Sequence, residues 1–269
     1  TQVIKPDIFT NKEYWRFYGI NRDIKNLNID IFHGLSNELP IGLKIKKIVT
    51  IHDLLFLKYP HFYNFIDRKI YNLKSKNACN KADRIIAVSQ KTKNDIVNYY
   101  NINPEKIKVI YQTCDDNFIN PKMRVQIDSN IENKLSKPYI LFVGSIEERK
   151  NLIFLLQAMT KINDIKLICI GKKTKYYNKV MEFISKHNLN EKVYFLNVNN
   201  AETLSEIYRR SIGLVYPSID EGFGIPIIEA MYSKIPVVIS NEQVFKEIGG
   251  KYAYYFKQNK IESLIHQIK

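Results

Sequence analysis

The chain has 269 residues, 45% hydrophobic and 25% charged, enough for one large or two ordinary domains with real cores. Forty-one lysines and arginines stand against 27 aspartates and glutamates; the surplus of +14 attracts phosphorylated ligands, nucleic acid or an anionic membrane face without choosing among them, and a general bias in residue usage explains it equally. Three scattered cysteines (Cys79, Cys114, Cys169), with no CxxC and no Cys/His cluster, argue against structural zinc and for a reducing cytoplasm, and no apolar run approaches the ~20 residues that cross a bilayer.

In chain order the first half alternates strand and helix. Strand-like runs occupy 29–33 and 46–52, a long helical stretch covers 65–82, a strand 84–89, a helix 90–100 that Ser89 is placed to cap, and a strand 106–111. The stretch 115–138 is polar, carries Pro121 and Pro138 at its ends and has no clear periodicity, so it reads as an interdomain linker. From Tyr139 the alternation resumes, with strands at 139–144, 165–171, 192–197, 212–218, 236–240 and 252–256 and amphipathic segments such as 151–162 and 176–189 between them. Continuous apolar strands alternating with helices predict an α/β fold of doubly wound parallel sheets covered on both faces. The expected division is 1–117, a linker over 118–137, and 138–269. A doubly wound domain normally begins with a strand and turn upstream of anything in the first half, so the first domain is expected to be incomplete; the start at Thr1 and the unfinished helical run 261–269 make both ends read as processing boundaries.

The run EGFGIPIIE, residues 221–229, holds the strongest chemical signal. It follows a strand and opens a helix with Pro226 near its first position, so the amides of Gly224, Ile225 and the first turn are available to an anion, for which phosphate is the natural guest. Glu229, expected on the first helical turn, suits the vicinal hydroxyls of a ribose. A plainer role also fits both carboxylates, with Glu229 complementing the helix terminus and Glu221 a solvated loop residue. In doubly wound sheets ligands bind beyond the carboxyl ends of the strands, where this run falls.

Several separated segments together resemble family 4 glycosyltransferases: IDIFHGLSNELP (29–40), KIVTIHDL (47–54), ADRIIAVSQKTKNDI (82–96), KIKVIYQTCD (106–115), ILFVGSIEERKNL (140–152) and VYPSIDEGFGIPIIEAM (215–231). The resemblance covers nearly the whole chain, and EGFGIPIIE matches the family's paired-glutamate signature at the correct spacing. It implies the GT-B fold, two Rossmann-like domains facing a cleft, with the first truncated at its N-terminus. It further implies that Glu229 holds the donor ribose, that Glu221 faces the donor sugar, and that Phe223, Gly224, Ile225 and Pro226 present backbone to the diphosphate and sugar. Lys150, in the turn after Gly144, matches the lysine that neutralises the diphosphate. Many relatives carry an arginine where Ser145 stands, and Arg149 is the available substitute. His52 matches a histidine that reaches the donor sugar from the first domain, and His33 ends a strand on the same edge, with an ordinary strand-end histidine the alternative in both cases. Asp53 either orients His52 or caps its turn.

The implied reaction is transfer of a sugar from a nucleoside-diphosphate donor, GDP- or UDP-linked, to an acceptor hydroxyl with retention, with no metal and no further cofactor. Closure about 115–138 would bring the two domains' residues together. The first two motifs resemble mannosyltransferase-like members, and the positive charge fits work on glycan or lipid-linked precursors of cell-surface polysaccharide, in the cytoplasm or at the inner face of the membrane. Other classes are weighed beside this: a basic nucleic-acid-binding module, for which no binding signature appears; a GT-B epimerase or hydrolase acting on a nucleotide sugar; and an inactive donor-binding fragment.

Overall fold

The computed structural model describes residues 14–25, 27–122 and 125–269, so the first thirteen positions of the expected first domain, Asn26, and two positions of the expected linker lie outside the described residues. The chain divides into two compact units, Thr1–Tyr111 and Gln112–Lys269.

In the first unit, strands β1 (Ile31–Gly34), β2 (Lys46–Ile51), β3 (Arg84–Ala87) and β4 (Ile107–Val109) form a parallel sheet in the order β1-β2-β3-β4. Val49, Ile51, Ile85 and Ala87 are completely buried. The β-branched majority in that set favours extended backbone and packs well on a pleated face. The helix Phe65–Lys81 starts where the Asn64 side-chain Oδ1 accepts the Ile66 amide at 2.9 Å, and it buries Ser75, Ala78 and Cys79. The helix Gln90–Tyr100 opens on Ser89, whose Oγ accepts the Thr92 amide at 3.0 Å, and closes on Asn101 in the left-handed conformation.

The second unit is a six-stranded parallel sheet in the order β10-β9-β8-β5-β6-β7, from β5 (Tyr139–Val143), β6 (Lys166–Ile170), β7 (Val193–Leu196), β8 (Gly213–Tyr216), β9 (Val237–Ser240) and β10 (Tyr254–Phe256). Both faces carry a core. Leu141, Ile168, Leu214 and Ile239 pack on one side, and Phe142, Leu155, Leu156 and Cys169 on the other. From β5 the chain winds outward through β6 and β7, then returns to place β8 on the opposite side of β5. That reversal makes the carboxyl ends of β5 and β8 the switch point of the sheet, where crossover connections diverge and a crevice opens.

The expected linker, 118–137, is described apart from positions 123 and 124, and several of its described residues pack on the second unit. Phe118 is buried, with its ring edge-on to Tyr208 at 5.2 Å between centroids, Leu135 joins the same core, and Arg210 makes a two-pronged pair with Glu132 at 2.6 and 2.8 Å. Apolar anchors spaced among prolines and polar residues show no period, yet they are enough to dock the segment onto the second unit. All three cysteines are buried free thiols.

Candidate functional site

The site is assembled at the carboxyl ends of β5 and β8. Gly144 follows β5 with φ +146°, a backbone conformation that L side chains rarely adopt, and the Lys150 side chain lies in van der Waals range of where its Cβ would be, 3.4 Å away. Gly171 follows β6 with φ +156°, and a Cβ on it would stand 1.9 Å from the Gly144 carbonyl oxygen. The turn then forms a short 3₁₀ segment, Glu148–Lys150, which ends on left-handed Asn151 and aims Arg149 and Lys150 toward the loop after β8.

Four groups meet on one oxygen of Glu221. Its Oε1 receives Lys150 Nζ at 2.6 Å, Arg149 Nη1 at 2.9 Å, Ser218 Oγ at 2.6 Å and the Tyr216 hydroxyl at 3.1 Å. Lys150 also donates to the Tyr216 hydroxyl at 2.8 Å, and Arg149 donates to Glu147 Oε1 and the Asp220 carbonyl, each at 2.8 Å. The side chains of Lys150 and Glu221 are almost wholly buried. Burial alone would push the Glu221 carboxyl up; the adjoining Lys150 and Arg149 charges, with the Lys150 and Ser218 hydrogen bonds, outweigh it and bring the pKa down to about 2. An ammonium has three N–H donors, two of them engaged here, and the third can be given to an anion.

Beyond Glu221 the chain reaches Gly224 at φ +113°, the N-cap of the helix Ile225–Tyr232, and the first intrahelical bond runs from the Ile227 amide to the Gly224 carbonyl at 3.0 Å. The Gly224 and Ile225 amides precede that bond, and Pro226, the second helical residue, has no N–H to satisfy. Glu229 lies on the second turn instead of the expected first. Its Oε2 accepts the hydroxyl of buried Tyr208 at 2.7 Å. Burial raises the Glu229 carboxyl above its ordinary value, the Tyr208 hydrogen bond works the other way, and the Asp115 charge adds to the rise.

These facts place the expected residues as follows. Lys150, Arg149 and Glu221 come together as one ion-pair network beside Gly144 and Ser145. Arg149 is directed into the acidic loop. Gly224, Ile225, Pro226 and Glu229 share the helix entrance, with Phe223 buried beneath it. In the first unit His52 and His33 follow or end β2 and β1; His52 Nε2 lies 2.8 Å from the Leu35 carbonyl and His33 Nε2 2.8 Å from Thr50 Oγ1. Asp53 Oδ1 accepts the Leu55 amide at 3.1 Å, just before the short helix Leu55–Lys58. His52, Asp53, Asn37, Glu38 and Tyr71 line a cavity of about 530 Å³ within that unit. Among the described residues no group of three or more His, Cys, Asp or Glu is disposed to hold a metal ion.

Sequence reasoning missed Tyr208, Tyr216 and Ser218. The VYPS run at the end of β8 carried a usable signal for the last two, since side chains at a strand's carboxyl end face the ligand edge. Nothing local marked Tyr208, which meets Glu229 only through the packing of two helices.

Comparison with known proteins places the chain in a family and a fold. The family model for glycosyl transferases group 1 matches residues 124–269, and that for Glycosyltransferase Family 4 matches residues 4–118. The O-antigen chain mannosyltransferase RfbU of Salmonella typhimurium is 31% identical over 270 residues, covering 100% of this chain and 72% of that protein. The fold is shared with sucrose-phosphate synthase from Thermosynechococcus elongatus (TM-score 0.76, 19% identity, 93% of this chain and 66% of that one). It is also shared with Anabaena HepE in complex with UDP-glucose (TM-score 0.65, 19% identity, 82% and 61%). At such identities these two structures speak for the fold alone. Two parallel-sheet units, a glutamate pair around a helix entrance and family matches across both units have one reading: the chain belongs to the group 1 glycosyltransferases of family 4, a family of hexosyltransferases built on the GT-B fold.

Proposed function

We propose that the protein is a retaining glycosyltransferase that moves a sugar, mannose in the first instance, from a nucleoside-diphosphate donor to an acceptor hydroxyl in cell-surface polysaccharide or glycoconjugate synthesis. The observation that carries the donor assignment is the convergence, at the β5/β8 switch point, of a buried lysine, a helix entrance led by Gly224 and a half-buried Glu229. In this reading the diphosphate takes the remaining Lys150 donor and the Gly224 and Ile225 amides, and Glu229 accepts the ribose hydroxyls. Glu221, held by two cations, stays ionised and fixes Lys150 while its other oxygen faces the sugar. As the bond from the anomeric carbon to phosphate oxygen breaks, charge grows on the leaving diphosphate, and preplaced donors stabilise it without metal. The acceptor oxygen bonds to the same face of that carbon and its proton passes to the departing phosphate, so atoms and charge balance.

The mannose and polysaccharide parts draw on RfbU, named as an O-antigen chain mannosyltransferase. A glycan or lipid-linked acceptor and a place at the inner face of the cell membrane complete the reading, with the +14 charge in its support. Calorimetry with GDP and UDP tests the core of it. Lys150→Ala and Glu229→Ala should each weaken nucleotide binding severely, whereas His52→Ala should spare it and depress only sugar transfer. Unchanged nucleotide affinity in both donor-site variants would remove the assignment.

A further inference from the structure

We propose that Asn37 is the positioning residue of His52, holding its imidazole in one orientation and one tautomer for the transfer step. This rests on the part that the proposed function gives His52 and deepens it. Asn37 lies in the loop between β1 and β2 with a left-handed backbone, φ +56°, a region where asparagine is enriched among residues that carry a side chain. Its own amide donates to the Thr50 carbonyl at 3.0 Å, which ties the loop to β2. From that anchor the side chain reaches the dipeptide just beyond the strand. Oδ1 accepts the His52 amide at 2.8 Å, and Nδ2 donates to the Asp53 carbonyl at 3.2 Å.

The ladder of β2 stops at Ile51, and backbone groups past a strand end are ordinarily left to water or to side chains. Here side chains from two elements take both polar groups of the His52 backbone: Asn37 the amide, and Thr92, on the helix Gln90–Tyr100, the carbonyl at 3.3 Å. The same loop also holds the ring, since Nε2 lies 2.8 Å from the Leu35 carbonyl. A carbonyl can only accept, so Nε2 carries the hydrogen and the lone pair of the neutral ring is on Nδ1. An asparagine that served only its own turn would bond to neighbours a few positions away. Asn37 instead directs both ends of its amide to residues 15 and 16 positions on. Asn37, His52 and Asp53 also line one cavity of the first unit, so the clamp lies at the edge where the ring is presented.

Asn37→Gly tests this, because glycine keeps the left-handed backbone and removes the clamp. Proton–nitrogen spectra of protein carrying isotope-labelled histidine, taken at alkaline pH, read the tautomers of the five histidines, and His52→Ala identifies the His52 signals. The parent should show Nε2 protonated and Nδ1 bare; in Asn37→Gly the two nitrogen shifts should move toward each other. Turnover of GDP-mannose, read as GDP released, should fall about tenfold or more in kcat, with KM and GDP affinity close to the parent's. Asn37→Gly should add nothing to the loss in His52→Ala, since a residue that acts through another has no effect once that one is gone. An unchanged His52 spectrum in Asn37→Gly, a parent protonated on Nδ1, or additive losses in the double variant would overturn the proposal. If Asn37→Gly misfolds, Asn37→Asp, which keeps the acceptor for the His52 amide and loses the donor to Asp53, is judged by the same spectrum and the same cycle. Absent turnover of GDP-mannose would instead sink the donor reading, and a His52→Ala protein as fast as the parent the role of His52, with the spectrum still judging the clamp.

Discussion

At the scale of single residues the site turns on two glutamates with opposite electrostatics. Glu221 is ionised far below its ordinary value of 4.5, so its contribution to stability is complete above that value and is lost as pH falls toward about 2. Thermal melts across this range should show the parent losing stability, and Glu221→Gln, already weaker at neutral pH because two cations lose their partner, should show a shallower loss. Parallel curves would contradict the pKa assignment. Glu229 is raised by burial and restrained by Tyr208. Removing the hydroxyl with Tyr208→Phe should raise the carboxyl further, so the acid limb of nucleotide affinity moves to higher pH with the neutral-pH affinity little altered. A profile superposing on the parent's would make Tyr208 a packing residue only.

At the scale of elements, the site is where two strand ends and two turns approach closely. Gly171 shows how tight the approach is, because any side chain there runs into the Gly144 carbonyl in a backbone conformation that L-residues avoid. Gly171→Ala should cost roughly 2 kcal/mol or more. For a unit of this size that corresponds to a fall of about 4–8 °C in melting temperature, read by calorimetry. Nucleotide affinity should fall with it, since the displaced Gly144 carries the Lys150 turn. The strands of the second unit were legible within a residue or two of their ends because buried parallel strands are short apolar runs bounded by turn residues. The helix Ala201–Arg209 and the docked segment 118–137 were not, since anchors such as Tyr208 and Phe118 acquire meaning only when they touch.

For the molecule as a whole, the two units are separate parallel sheets with their own cores. A donor that binds the second unit should raise the melting temperature of the protein by mass action, about 2.7 kcal/mol at a hundred times its dissociation constant. A thermal-shift screen of GDP-, UDP-, ADP- and dTDP-sugars should single out one base, GDP on the mannosyltransferase reading, with the same shift after treatment with a chelator. A shift that needs added divalent cation would end the metal-independent scheme.

The sequence by itself determined the alternation of strand and helix, the parallel sheets and the place of EGFGIPIIE at a helix entrance, because each depends on neighbours within a few positions. The tertiary structure decided what those residues touch: Lys150 meets Glu221 across 71 positions and Tyr208 meets Glu229 across 21. It also decided that Ile66, Ile70 and Leu73 of the Phe65–Lys81 helix face outward. Periodicity tells which residues share a face. Only the packing of one element on another tells which way the face is turned, because burial is set by the competition of all faces for the same core.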